Sequence, residues 1–528
     1  MSPGTVLAFL VVCLFLVAVI WMAQLSGGAS RSEGISKLFG DASFFKIYDC
    51  EEQKLIRQEK NGIPLGFFSE WKAIGGRKEI TEVVHPLHYA GGRHLITVAP
   101  TRTGKGASVQ VPVLLEYNAS IMMIDPKGEN AAITAKHRYD AMRQYVYIVN
   151  PFGVLGDTFA GLGFEKPARF NPLAALDPES DTYVSEVAAI CEALIIADGK
   201  DSHWSNSARD LVAARILWAC QFGKPEEKTL PSIRDFLTAK GDDFRGMVAD
   251  MAACGDVVIQ NKAMRFLDSR NELDGIISTA ITQTAFLDDP CLRESLSGDD
   301  FRFLDLKRRK MTVYLVLPAK LMPPYARWFR LLVVSALDAM MSSEEKGDKP
   351  VLLMLDEFAS LGHLSSVENA MGLAAGFGLQ IWPFVQDIHQ LEDIYSRRWK
   401  SFLANAGVQQ YFTPNDMDTA DFISKRAGNK TVKTRTINLQ SLTNSQVKDG
   451  ATGEGRSISE TARPLMDGLE ILDLKNDKAI AFLAGCKKTL LYNRYNYYEN
   501  EKYKGLWSPN PYFKKALASV EDSQDYWR

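Results

Sequence analysis

Two short runs, far apart in the chain, carry residue types that can hold a triphosphate. The first is Ala99-Pro100-Thr101-Arg102-Thr103-Gly104-Lys105-Gly106-Ala107, directly after the apolar stretch His94 to Val98. A phosphate cradle needs inward-facing backbone N–H groups, a lysine reaching the β- and γ-phosphates, and a helix N-terminus behind them. Gly104, Lys105 and Gly106 supply the tight turn and the charge. Thr101, Arg102, Thr103, Gly104, Lys105, Gly106 and Ala107 are therefore the candidate ATP-binding residues. The run continues through Leu115 as a helix with Pro112 inside it. The second run is Val351-Leu352-Leu353-Met354-Leu355-Asp356-Glu357. Five apolar residues ending in two carboxylates read as a buried strand with acids at its tip. Asp356 is the candidate Mg²⁺ ligand, and Glu357 the candidate general base for an attacking water.

Two departures mark the loop. Ala99 stands where a phosphate loop usually opens on glycine, and Gly106 where a Mg²⁺-contacting Ser or Thr usually follows the lysine. Thr103 and Ser108 are the candidate replacements for that hydroxyl. A third apolar run, Ile381 to Val385, ends in Gln386-Asp387. Gln386 is a candidate γ-phosphate sensor or water-orienting group, and equally a polar strand cap. Lys105 and Asp356 are 251 positions apart, more than a compact nucleotide-binding core needs. An inserted domain accounts for the excess.

The elements that must position these groups follow from hydrophobic pattern. His94 to Val98, Ser120 to Ile124, Tyr145 to Val149, Thr312 to Leu317, Val351 to Leu355 and Ile381 to Val385 read as strands of a parallel sheet covered on both faces. Later strands are expected at Val408 to Phe412, Ala479 to Leu483 and Thr489 to Tyr492. Between Pro172 and about Gly298 the texture becomes helical. Val184, Val187, Ala188, Cys191, Leu194 and Ile195 share one helix face, and Ser207 to Cys220 and Leu273 to Leu287 follow suit. The expectation is an α/β fold with a mostly parallel central sheet and an inserted all-α domain. Residues 27–85 read as a linker and docking segment, and the polar stretch Thr431 to Thr461 as a long excursion.

The chain has 528 residues, 46% hydrophobic and 24% charged, with a formal net charge of −3. This is not the bulk basic signature of an obligate nucleic-acid binder. Its seven cysteines include no C-x-x-C pair, against a disulfide framework or zinc ribbon. No H-E-x-x-H occurs. Val6 to Leu25 is uncharged and almost wholly apolar, and twenty helical residues span about 30 Å, the bilayer core. Basic residues follow it at Arg31 and Lys37, which predicts a single-pass anchor with the bulk of the chain in the cytoplasm.

Taken in order, these runs resemble the TraG-like coupling proteins of type IV secretion and conjugation, relatives of the FtsK and HerA motor ATPases. The resemblance spans Arg93 to Tyr492. It rests on the phosphate loop, Asp125-Pro126-Lys127-Gly128-Glu129, Asn150-Pro151-Phe152, Arg169-Phe170-Asn171-Pro172-Leu173 and His203-Trp204. It continues with Leu355-Asp356-Glu357-Phe358, Val385-Gln386-Asp387-Ile388-His389-Gln390-Leu391 and Ala462-Arg463-Pro464-Leu465.

The resemblance implies a RecA-like P-loop ATPase using ATP and Mg²⁺, assembled as a homohexamer at the bacterial inner membrane. It implies single-stranded, relaxase-bound DNA or secreted effector proteins as cargo and type IV secretion channel subunits as partners. Lys105, Asp356, Glu357 and Gln386 take the phosphate, Mg²⁺, water-activating and sensor positions. The implied organisation is an anchor at 1–26, the 27–85 segment, a nucleotide-binding domain in two parts at 86–173 and 301–500, the all-α insert at 174–300 as substrate-selecting face, and a tail at 501–528.

The chain departs from that family in having one apolar N-terminal segment where two are usual. It also lacks an arginine in Ala370 to Leu379, leaving Arg397, Arg398 and Arg463 as candidates for a residue acting across a subunit interface. A receptor scaffold with little hydrolysis and a chromosome-processing motor are the competing readings. Three weaker signals have plainer alternatives. Lys307-Arg308-Arg309-Lys310 is a DNA contact or a solvated loop. Arg397-Arg398-Trp399-Lys400 is a base-stacking site or a packed helix face. His203-Trp204 is chemistry or packing.

Overall fold

The structure is a computed structural model and describes residues 37–56, 62–73, 80–196, 202–268, 272–439 and 454–512. The expected anchor at Val6 to Leu25 lies outside the described residues. Among those described, no helix is long and apolar enough to cross a membrane.

The chain divides into two units, 44–423 with 467–528, and 1–43 with 424–466. The larger unit is built on an eleven-stranded sheet in the order β2-β1-β13-β12-β9-β3-β8-β7-β4-β6-β5. Its strands are β1 (Ile63–Ala73), β2 (Ile80–Tyr89), β3 (His94–Val98), β4 (Ile121–Ile124), β5 (Tyr145–Val149), β6 (Met311–Leu315), β7 (Val351–Leu355), β8 (Leu379–Val385), β9 (Ala406–Tyr411), β12 (Lys478–Leu483) and β13 (Leu490–Asn493).

From β5 to β9 every pairing is parallel; from β9 outward to β2 every pairing is antiparallel. The central strands β3, β4, β7 and β8 are buried along their whole length. That explains their near-continuous apolar sequence, since both faces meet helices. One cluster joins Leu95, Val113, Ile121, Leu352, Trp382 and Val408 across these strands.

Residues read as a linker turn out to be sheet. β1 and β2 pair antiparallel over ten registered positions, from Ile63 opposite Tyr89 to Ala73 opposite Ile80, and β1 joins β13. These outer strands carry Glu70, Trp71 and Glu82 among their apolar residues. With one wet face they lack the continuous apolar signal of the centre.

Between β5 and β6 the described residues form helices and turns, with long helices at Tyr183–Leu194, Ser202–Gln221, Gly241–Ala253, Val257–Asp268 and Leu273–Gln283. Trp204 lies against Gly275, where an added Cβ would come within 2.6 Å of its ring. Trp204 thus packs within the helical segment, while His203 beside it is exposed and lies 3.7 Å from Glu272.

The smaller unit is built on an antiparallel ribbon, β10 (Asn429–Leu439) with β11 (Glu454–Pro464), in continuous register from Asn429 opposite Pro464 to Leu439 opposite Glu454. The polar stretch read as an excursion is therefore paired on both sides of residues 440–453, which lie outside the described residues. Thr431, Val432, Thr434, Thr436 and Ile437 are β-branched and suit the ladder.

Candidate active site

Parallel pairing brings one set of strand ends to a single edge. β3 runs into the loop that holds Lys105, β8 into Gln386, β7 into Asp356 and Glu357, and β4 into Asp125. Val98 pairs Val385, Leu355 pairs Pro383, and Ile124 pairs Leu355. The four ends are therefore contiguous at the carboxyl edge, where open α/β sheets take their ligands.

The loop closes on Gly104, whose φ of +84° suits a residue without a side chain. Lys105 caps a wide π turn, Gly106–Gln110, that runs into the helix Val111–Glu116. Pro112 falls in the first turn of that helix, where a missing N–H is tolerated. The result is a helix start aimed at the cleft, with backbone donors left for an anion.

Lys105 and the β7 acids meet. The Lys105 Nζ lies 2.8 Å from Asp356 Oδ1 and 2.9 Å from Glu357 Oε1. Gln386 Nε2 donates to the other Glu357 oxygen at 3.1 Å. Glu357 is held in the left-handed region, φ +48° and ψ +41°. For a residue with a side chain this costs of order 1–3 kcal/mol, and such strain gathers at functional sites. Burial works against the Lys105 ammonium, but the two carboxylates outweigh it and hold its pKa above the ordinary value. Burial likewise pushes Glu357 up, yet Lys105 and Gln386 bring it below its ordinary value. For buried Asp356 desolvation wins over Lys105, and the pKa is raised.

A cavity of about 970 Å³ opens over these groups, large enough for a nucleotide. Arg102, Thr103, Gly104, Lys105, Gly106 and Ala107 line it, with Asp125, Asp356 and Glu357. Thr101 is exposed and outside the lining, and Gln386 reaches the site through Glu357. The apolar side of the cavity carries Val111, Ile133 and Tyr497. Tyr497 belongs to residues beyond β13 that fold back over the loop helix. Lys502 pairs with Glu116, Ser508 N donates to Ile133 O at 2.8 Å, and Asn510 Nδ2 donates to Glu129 Oε1 at 2.6 Å. Residues 501–512, expected in a tail, are part of this wall.

The donors present fit Mg²⁺, which takes oxygen ligands from one or two carboxylates, phosphates and water. Asp356 is placed to supply the carboxylate. Both candidate hydroxyls for the one Gly106 lacks donate within the loop: Thr103 Oγ1 to Pro100 O at 2.7 Å, and Ser108 Oγ to Gly104 O at 2.8 Å.

Three residues of the cavity had no role in the sequence reading. Asp125 is 1% exposed, accepts from Ala131 N at 2.8 Å, and is pushed up to about 7 by burial, with the Asp356 charge adding. An apolar strand ending in an acid was the available signal, the same pattern as Asp356. Gln110 is 1% exposed and its Nε2 has no hydrogen-bond partner among the described residues, while its Oε1 accepts from Asn130. Arg494, buried beside the loop, left no signal in the sequence.

The remaining candidates fall elsewhere. Lys307 to Lys310 precede β6 at the opposite edge of the sheet. Lys307 bonds the Ser343 carbonyl, Arg308 pairs with Glu345 at 3.0 Å, and Arg309 with Asp305 at 2.6 Å. Trp399 is buried against Phe422. Arg398 pairs with Glu368, and neither it nor Arg397 lines the cavity. Arg463 stands opposite Lys430 in the smaller unit.

With the geometry in hand, similarity to known proteins is informative. The family described as type IV secretory system conjugative DNA transfer matches residues 43–519. A conjugal transfer protein TraG of Escherichia coli is 28% identical over 483 residues, covering 85% of this chain and 73% of the relative. Protein VirD4 of Agrobacterium fabrum is 29% identical over 406 residues, covering 74% of this chain; the chain spans 57% of that relative's length. Among solved structures, the unbound bacterial conjugative coupling protein TrwBdeltaN70 superposes with a TM-score of 0.57 at 16% identity, covering 76% of this chain and 84% of that one. Plasmid coupling protein TrwB in complex with ADP and Mg²⁺ gives 0.54 at 16% identity, covering 77% and 85%. At such identities the structural likeness establishes a shared α/β fold with a mostly parallel central sheet.

Proposed function

The chain belongs to the type IV secretory system conjugative DNA transfer family, and on that premise we propose that it is the coupling ATPase of such a system. It binds Mg-ATP in the cavity at the carboxyl edge and uses hydrolysis to recruit and drive single-stranded DNA bound to a relaxase, or effector proteins, toward the secretion channel subunits. The observation that carries this reading is the meeting of Lys105, Asp356 and Glu357 over one cavity, with Gln386 bonded to Glu357.

Bound ATP places its β- and γ-phosphates against the Lys105 ammonium and the N–H groups of residues 104–107. Asp356 would hold Mg²⁺, Glu357 takes the proton of the attacking water, and Gln386 fixes the Glu357 carboxylate that receives it. Residues 6–25 anchor the chain in the inner membrane with its bulk in the cytoplasm. The active form is a homohexamer, and the helical segment 174–300 faces the cargo.

The glycine at 106 and the two ion pairs that occupy Lys105 support a second reading, a nucleotide-binding receptor that docks protein substrates with little hydrolysis. ATP turnover by the full chain in lipid nanodiscs, with and without single-stranded DNA, separates the two. The motor reading expects DNA-stimulated hydrolysis that Lys105→Ala and Glu357→Gln abolish. Equal inertness of wild type and both variants, with nucleotide still bound, would establish the receptor.

A further inference from the structure

Arg494 follows β13, and the antiparallel steps β9-β12-β13 return that strand end to the same edge as the phosphate loop. The residue is 6% exposed. Its guanidinium lies 3.6 Å over the ring of Phe412, the residue after β9. Nη1 donates to Ser108 Oγ at 2.7 Å and to Thr103 O at 3.2 Å, Nε to Lys478 O at 3.3 Å, and Nη2 to Asn476 O. Nη1 thus joins the backbone just before Gly104 to the side chain just after Ala107. Between those two points lie the amides and the lysine that meet phosphate. Ser108 donates onward to Gly104 O, which closes the frame.

Where a hydroxyl follows the lysine, Mg²⁺ itself ties the loop to the metal shell. Gly106 offers no such tie. We propose that Arg494 is the positioning residue that replaces it, fixing the loop from the β13 side so that Lys105 and the loop amides are already arranged for a triphosphate. The planar fork is what the task requires. Nε and Nη2 fix the guanidinium on the Lys478 and Asn476 carbonyls while Nη1 holds the loop; lysine would keep the charge but lose that fixed, planar anchoring. Preorganisation of this kind acts on bound ground state and transition state alike, so its loss raises KM and leaves kcat largely intact.

This inference rests on the ATP reading of the cavity, and the test separates the two. Binding of a fluorescent mant-ATP and steady-state hydrolysis are measured on the full chain in nanodiscs for wild type, Lys105→Ala, Arg494→Lys, Ser108→Ala and the Arg494→Lys/Ser108→Ala double variant, with thermal melting alongside. Loosening of the Arg494 hold on the loop, at the scale of one charge-assisted hydrogen bond, predicts a Kd and KM raised ~10-fold in Arg494→Lys with kcat within ~3-fold. Ser108→Ala should raise Kd ~3-fold, and the double variant should be weaker than Arg494→Lys by less than that factor, because the Arg494–Ser108 contact is common to both changes. A purely structural role would lower the melting temperature and leave Kd and KM at wild-type values. That result, or full additivity in the double variant, overturns the proposal. Should Arg494→Lys fail to fold, Ser108→Ala decides: a ~3-fold loss supports the proposal and a wild-type Kd overturns it. A wild type that binds no mant-ATP, or binds it equally as Lys105→Ala, defeats the ATP reading and this inference together.

Discussion

Lys105 and Glu357 stand 252 positions apart in the chain and 2.9 Å apart in the fold. The ammonium that should hold a γ-phosphate is held instead by the groups that should serve metal and water. On the proposed ATP reading, bound phosphates would take over Lys105, and Asp356 would be the carboxylate left to hold Mg²⁺. Each group is pre-placed for the bound state without a buried charge left unpaired before it.

Glu357 receives one contact on each oxygen, from Lys105 and from Gln386. Glu357→Gln preserves its shape and removes its basicity. We predict kcat lower by ~10²–10⁴-fold with mant-ATP affinity close to wild type, as read from initial rates and titration. A rate close to wild type would remove Glu357 from the chemistry.

Gln386 touches the site through Glu357 and does not line the cavity. Gln386→Ala should lower kcat ~10-fold by freeing the base to rotate, with little change in ATP affinity. A large rise in Kd with kcat unchanged would instead make Gln386 a direct ligand contact.

Glu116 ties the loop helix to the residues that wall the cavity, accepting from Lys502 and Tyr503 and facing His88 at 3.0 Å. Burial alone would raise its pKa, but these partners outweigh it and hold it below 4.5. A depressed folded-state pKa stabilises in full above the unfolded value and loses that stability as pH falls through the folded one. Glu116→Gln should therefore cost about 1–3 kcal/mol at neutral pH. Chemical denaturation should show the gap to wild type closing once the pH drops below 4.5. A gap that widens in acid would refute this account of the contact.

Lys307, Arg308 and Arg309 are engaged at the sheet edge away from the cavity. Arg308→Ala should leave both the affinity for single-stranded DNA and its salt slope unchanged, whereas a true phosphate contact would reduce the slope by about 0.7. Fluorescence anisotropy across a salt series checks this.

The parts of the fold most legible in the sequence are those buried on both faces. β3, β4, β7 and β8 announce themselves as apolar runs, and their tips carry the chemistry, so Lys105, Asp356 and Glu357 could be placed before any coordinates. β1 and β2 were hidden because outer strands alternate with polar residues such as Glu70 and Glu82. The β10–β11 ribbon was hidden because threonine-rich strands lack an apolar face to detect. Asp125 had the right pattern and was passed over as part of a family motif. Arg494 could not be found at all: it reaches the loop only because β9, β12 and β13 fold back in antiparallel order, a relationship that no local spacing records.

The account stands on one nucleotide shared by Lys105 and Asp356, and equilibrium ATP binding to the full chain with and without Mg²⁺ tests it most directly. Lys105→Ala should lose affinity in both conditions. Asp356→Asn should bind metal-free ATP at least as well as wild type and lose the gain that Mg²⁺ confers. If Asp356→Asn kept the whole Mg²⁺ enhancement, or Lys105→Ala bound like wild type, the two residues would not serve the same ligand.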